Sequence, residues 1–83
     1  MRKKLGLSNY GGHMMPLILA EAGKEAPILV VGGKAKIRAF LGELGFVPGN
    51  VVTVVSENAG NLIVKVKDSR VAIDKELAAK ILV

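Results

Sequence analysis

Only one stretch of this chain carries a helical period. Ile37, Phe40, Leu41 and Leu44 fall at i, i+3, i+4 and i+7, the apolar stripe of an amphipathic helix. Gly45 stands where a left-handed residue caps a helix end, and Pro48 prevents continuation. After that point the period is two. A chain of 83 residues with one helix of this kind has little to bury except the apolar faces of short strands.

The punctuation predicts where those strands lie. Ile28-Leu29-Val30-Val31, bounded by Pro27 and by Gly32-Gly33, reads as the first good strand, after a short extended or single-turn segment over residues 16–22. The helix is expected over Lys34–Leu44. Val47-Pro48-Gly49-Asn50 then has proline and glycine at the central positions of a type II turn. Val51–Val55 is the second strand, Glu57–Asn61 a hairpin loop, and Leu62, Val64 and Val66 the inner face of the third. Asp68-Ser69 is a tight connection into a fourth strand, Arg70–Ile73. Asp74 is an N-cap for a helical turn, and Ile81-Leu82-Val83 closes the chain as a fifth strand.

The fold class is therefore all-β, a small five-stranded closed barrel with the helix inserted after the first strand and a short C-terminal helical turn. Closure removes exposed edges. Ile37, Phe40, Val52, Val54, Leu62, Val64, Val66, Val71 and Ile73 are the expected core. The register of the second strand is ambiguous, since Val51, Val52, Val54 and Val55 occupy both faces and a one-residue slip exchanges them.

Chemistry is sparse. The chain has no cysteine, so no disulfide framework and no thiolate metal site. His13 is the sole histidine, and seven acids show no calcium-loop spacing. Ser8, Ser56 and Ser69 sit in tail or turn contexts with only His13 as a base. Gly32-Gly33-Lys34 invites a phosphate-loop reading, but Ile28 stands at the leading glycine position and Ala35 replaces the magnesium-holding hydroxyl. No enzyme activity, metal or cofactor is expected.

Charge separates a tail from a domain. Residues 1–14 carry Arg2, Lys3 and Lys4 with no acid and are expected to be a flexible basic arm, with the domain expected over 15–83. Nine basic against seven acidic residues leave that domain nearly balanced. Tyr10, Phe40 and Phe46 are all the aromatics, too few for a base-stacking platform. Asn9, Gly11, Gly12 and His13 interrupt any apolar signal region, and no apolar run approaches the roughly 18 residues that span a bilayer. A cytoplasmic monomer without membrane insertion is expected.

The run Leu41-Gly-Glu-Leu-Gly-Phe-Val-Pro-Gly49 with the following Val51–Val55 resembles the hallmark of the FeoA family (ferrous iron transport protein A). Residues 16–23 and 70–83 are similar to that family's opening and closing segments, so the resemblance covers about residues 15–83. It implies an SH3-like barrel that acts in bacterial ferrous iron uptake as a protein-interaction module on the cytosolic part of the FeoB transporter. The helix has Arg38 as its only arginine, so Lys34 and Lys36 would share any basic contact. On this reading Leu41, Leu44 and Phe46, rimmed by Lys34 and Arg38, form the partner-binding surface, the alternative from periodicity being that all three are core, while Gly45, Pro48 and Gly49 build the turn. The alternative is a nucleic-acid or ribosome-binding barrel, because Pro48-Gly49 entering Val51-Val52-Thr53-Val54 also resembles KOW-type motifs. Iron-dependent repressors carry related SH3-like domains, but the 83 residues hold no helix-turn-helix.

Overall fold

The computed structural model describes residues 14–83, so the expected basic arm lies outside the described residues except for Met14. A single 3-10 turn over Leu17–Leu19 drops Leu17 into the core. Six strands follow: β1 (Glu25–Pro27), β2 (Val30–Val31), β3 (Val51–Asn58), β4 (Asn61–Val66), β5 (Ser69–Asp74) and β6 (Ile81–Leu82). Helix α1 (Ala35–Glu43) joins β2 to β3, and the one-turn α2 (Lys75–Ala78) joins β5 to β6. The sheets are β1-β3-β4-β5 and β2-β6, antiparallel throughout. This is the mostly-β, SH3-like arrangement the sequence predicts, with two differences.

First, there are six strands rather than five. The run 28–31 changes sheets in mid-course: Ile28 N–H donates to the Asn50 carbonyl at 2.8 Å, whereas the next N–H, of Leu29, donates to Leu82 at 2.8 Å. The preceding Glu25–Pro27 pairs with β3. The helix consequently follows the second strand. Second, the barrel is open along β5, which pairs with β4 alone.

Local chemistry explains the junctions. Lys34 and Leu44 flank α1 as its caps, and Gly45 takes φ +108°. Phe46 N–H donates to the Leu41 carbonyl at 2.9 Å and Gly45 N–H to that of Gly42 at 3.0 Å, the paired bonds of a Schellman end. The Asn50 side-chain amide donates to the Gly45 carbonyl at 2.8 Å, fastening this end to the next turn. There Asn50 N–H donates to the Val47 carbonyl at 3.1 Å and Gly49 sits at φ +96°, as a type II turn requires.

The ambiguous register resolves with Val52 and Val54 inward and Val51 and Val55 outward. A bulge at Val55 then resets the ladder, since Val54 faces Val64 but Ser56 faces Ile63. Ala59 and Gly60, both at positive φ, make the two-residue turn of the first hairpin. The second turns one residue earlier than expected, at Lys67-Asp68 rather than Asp68-Ser69, with Lys67 at φ +56°. Asp74 Oδ1 accepts from Leu77 N–H at 2.8 Å and caps α2.

Of the expected core, Val52, Val54, Leu62, Val64, Val66 and Ile73 are buried, while Ile37 and Val71 pack half-buried against them. Phe40 is not core; it stands 49% exposed. Leu17, Ile28, Leu41, Phe46, Ala78, Ile81 and Val83 complete the interior, which holds no buried polar side chain among the described residues.

Candidate interaction surface

Helix α1 sorts its residues by angle. Successive residues advance about 100°, and Leu41, fully buried, marks the direction of the core. Ile37 and Leu44 lie within about 60° of Leu41 and are half-buried, whereas Phe40 is about 100° away and reaches water. Phe46 is also buried, at 1% exposure. The Schellman end explains it, because this motif folds the residue after the capping glycine back toward the helix's last turn, here toward Leu41. Leu41 and Phe46 are therefore core, the alternative to the docking patch that the sequence also allowed, and are not available as a docking surface. Leu44 contributes only an edge.

Lys34 and Arg38, the rim of the expected patch, are exposed. The Arg38 guanidinium reaches the Gly33 carbonyl at 3.4 Å, which steadies it along the helix start. On the far flank, Lys36 precedes Phe40 by one turn and Glu43 follows it, with Ala35 and Ala39 exposed beside them. The solvent face of α1 thus carries one aromatic ring, small residues that permit close approach, and three cations against one acid. Sequence reasoning missed Phe40 because a period-3.6 stripe does not say which of its members faces the core.

The glycines before the helix join strand ends instead of forming a phosphate cradle: Gly32 N–H donates to the Lys80 carbonyl at 2.7 Å. No group of three or more His, Asp or Glu side chains is placed to hold a metal ion among the described residues. Two shallow grooves, of about 290 and 310 Å³, lie on the sheet. The first is lined by Thr53, Lys65 and Lys67, the second by Ile18, Val54 and Leu62 with the Glu57–Lys75 ion pair. Neither assembles a nucleophile with a base. Phe40 is the one exposed aromatic among the described residues, a single ring rather than a row of them. None of the described helices is long and apolar enough to cross a membrane.

A second apolar strip went unread in the sequence. Pro16, Leu82 and Val30 stand opposite one another across three adjacent segments, and Val30 is 40% exposed. Its signal was the alternation of Val30 with Val31, one outward and one inward.

Comparison with known proteins gives a consistent picture. The family model described as FeoA domain matches residues 15–83. The crystal structure of an iron uptake regulatory protein (FeoA) superposes with a TM-score of 0.77 at 28% identity, over 84% of this chain and 95% of that one. A manganese-dependent transcriptional repressor shares the fold at a TM-score of 0.75 and 15% identity, over 84% of this chain but 40% of that one. No curated protein matches the chain.

Proposed function

We propose, on the premise that this chain belongs to the FeoA domain family, that it is a cytoplasmic accessory of ferrous iron uptake, docking through the solvent face of α1 on the cytosolic part of a FeoB-type transporter. The family is linked to ferrous iron uptake. The observation that carries the surface is Phe40: a half-exposed ring on a helix whose other large apolar residues, Ile37 and Leu41, turn inward. Such a ring, with Ala35 and Ala39 beside it, serves as an anchor that a pocket on the partner can enclose. Lys34, Lys36 and Arg38 around it favour an acidic rim on that partner and speed the encounter. Leu41 and Phe46 act indirectly, by holding the helix in place.

The test uses bacterial cells deprived of this chain and resupplied with variants. Phe40→Asp and Arg38→Glu lie at exposed sites, so both should melt within a few degrees of the parent. The reading expects ferrous iron uptake to fall with Phe40→Asp and, less steeply, with Arg38→Glu. Full uptake with both folded variants would overturn it.

A further inference from the structure

The four-stranded sheet leaves its two outer strands very differently protected. β1 is three residues long and ends at Pro27, which has no N–H to offer a neighbour. β5 is six residues long and carries no proline or bulge, so its only guards against pairing are the charges of Arg70 and Asp74. Its partners on β4 are Val66 for Ser69, Val64 for Val71 and Leu62 for Ile73. In a hairpin closed by a two-residue turn, the pair flanking the turn is hydrogen-bonded, and the pattern alternates from there. Ser69, Val71 and Ile73 therefore aim their backbone groups at β4, and Arg70, Ala72 and Asp74 aim theirs outward. Among the described residues no other strand pairs with β5, and outside the hairpin its backbone is engaged only at its end, where Asp74 as N-cap gives its carbonyl to α2. Helix α2 packs against the end of β5 that leads into it as well as against β4 and the opening 3-10 turn, with Lys75 paired to Glu57, so the free stretch of the edge is Arg70–Ala72.

The edge is complementary to itself. Run antiparallel against a second copy and centred on Ala72, it sets Ala72 against Ala72, Arg70 against Asp74 twice, and Val71 against Ile73. The outward residues are all exposed, and Val71 is a half-buried apolar side chain that this pairing would cover further. The other outward-facing centres put Arg70 against Arg70 or Asp74 against Asp74, and like charges directly opposite are destabilising. We infer that β5 is a homotypic docking edge, through which two copies of this chain pair antiparallel about Ala72 into one continuous sheet. The contact is isologous and small, so it forms a weak, concentration-dependent dimer where the sequence led us to expect a monomer.

The native sequence lacks cysteine, which makes the register directly testable. A hydrogen-bonded antiparallel pair holds its Cα atoms about 5.5 Å apart, inside the range of about 4.4–6.8 Å that a disulfide spans. Oxidised Ala72→Cys should therefore run as a covalent dimer on a non-reducing gel, while Val51→Cys, exposed on β3, should not. Sedimentation velocity of the full chain should show a monomer–dimer equilibrium that Ala72→Pro abolishes, since proline there removes only an outward N–H. If Ala72→Pro melts early, Arg70→Glu, which turns both charge pairs repulsive, carries the same test and should weaken the dimer several-fold. A chain that stays monomeric up to millimolar concentration overturns the inference. So does self-association that ignores both substitutions, or that disappears only on removal of residues 1–13, for then another surface or segment is responsible.

Discussion

Replacing Gly49 by valine isolates the cost of a single backbone angle. Gly49 sits at φ +96°, and a Cβ built on it meets nothing within 4 Å, so no clash confuses the result. The angle matters because three bonds depend on it. Gly49 N–H donates to the Ile28 carbonyl at 2.9 Å, Ile28 N–H to that of Asn50 at 2.8 Å, and Asn50 N–H to that of Val47 at 3.1 Å. Together they tie the end of α1 to the start of β3 and to the strand switch at Ile28. Holding a β-branched residue at such an angle costs about 1–3 kcal/mol. At about 4–8 °C per kcal/mol for a domain of this size, a loss of about 2 kcal/mol lowers the melting temperature by about 8–16 °C. Urea titration followed by circular dichroism should show a lower midpoint with an unchanged slope. Gly49→Asn should lose much less, because asparagine tolerates positive φ better than other residues with a side chain. Equal losses for asparagine and valine, or a valine variant that melts with the parent, would refute the turn.

The same melts separate core from surface on α1: Leu41→Ala should cost about 2–5 kcal/mol, the range for a buried leucine, and Phe40→Ser, at a half-exposed ring, about 1 kcal/mol. Reversal of that order would place the helix the other way round. Asp74→Ala removes the oxygen that accepts from Leu77 N–H and should cost about 1 kcal/mol; Asp74→Asn, which keeps an accepting oxygen, should recover most of it.

How far the fold was legible depended on which residues dictate their own geometry. Gly45, Pro48 and Gly49 do, and the helix end, the type II turn and the start of β3 lie where they predict. The alternation of Leu62, Val64 and Val66 fixed the inner face of β4 in the same way. The strand switch at Ile28 was hidden, because four consecutive apolar residues look alike whether one sheet or two receives them. The open edge was hidden too, since closure depends on what β5 meets and not on β5 itself. In the candidate site, Lys34 and Arg38 were legible as exposed charges. Phe40 read as core and is half-exposed, while Leu41 and Phe46 were left open between core and surface: the stripe is wide, the barrel contacts one side of it, and a capping motif carries Phe46 inward after the helix has ended.

The solvent face of α1 is proposed here as the place where a partner binds. Isotope-labelled chain titrated with the isolated cytosolic domain of a FeoB-type transporter tests this residue by residue, through backbone amide shifts in solution. Perturbations should concentrate on residues 34–43, and Phe40→Asp should abolish them while leaving the free spectrum well dispersed. Perturbations confined to the Pro16–Leu82–Val30 strip or to β5, with residues 34–43 unmoved, would contradict the claim.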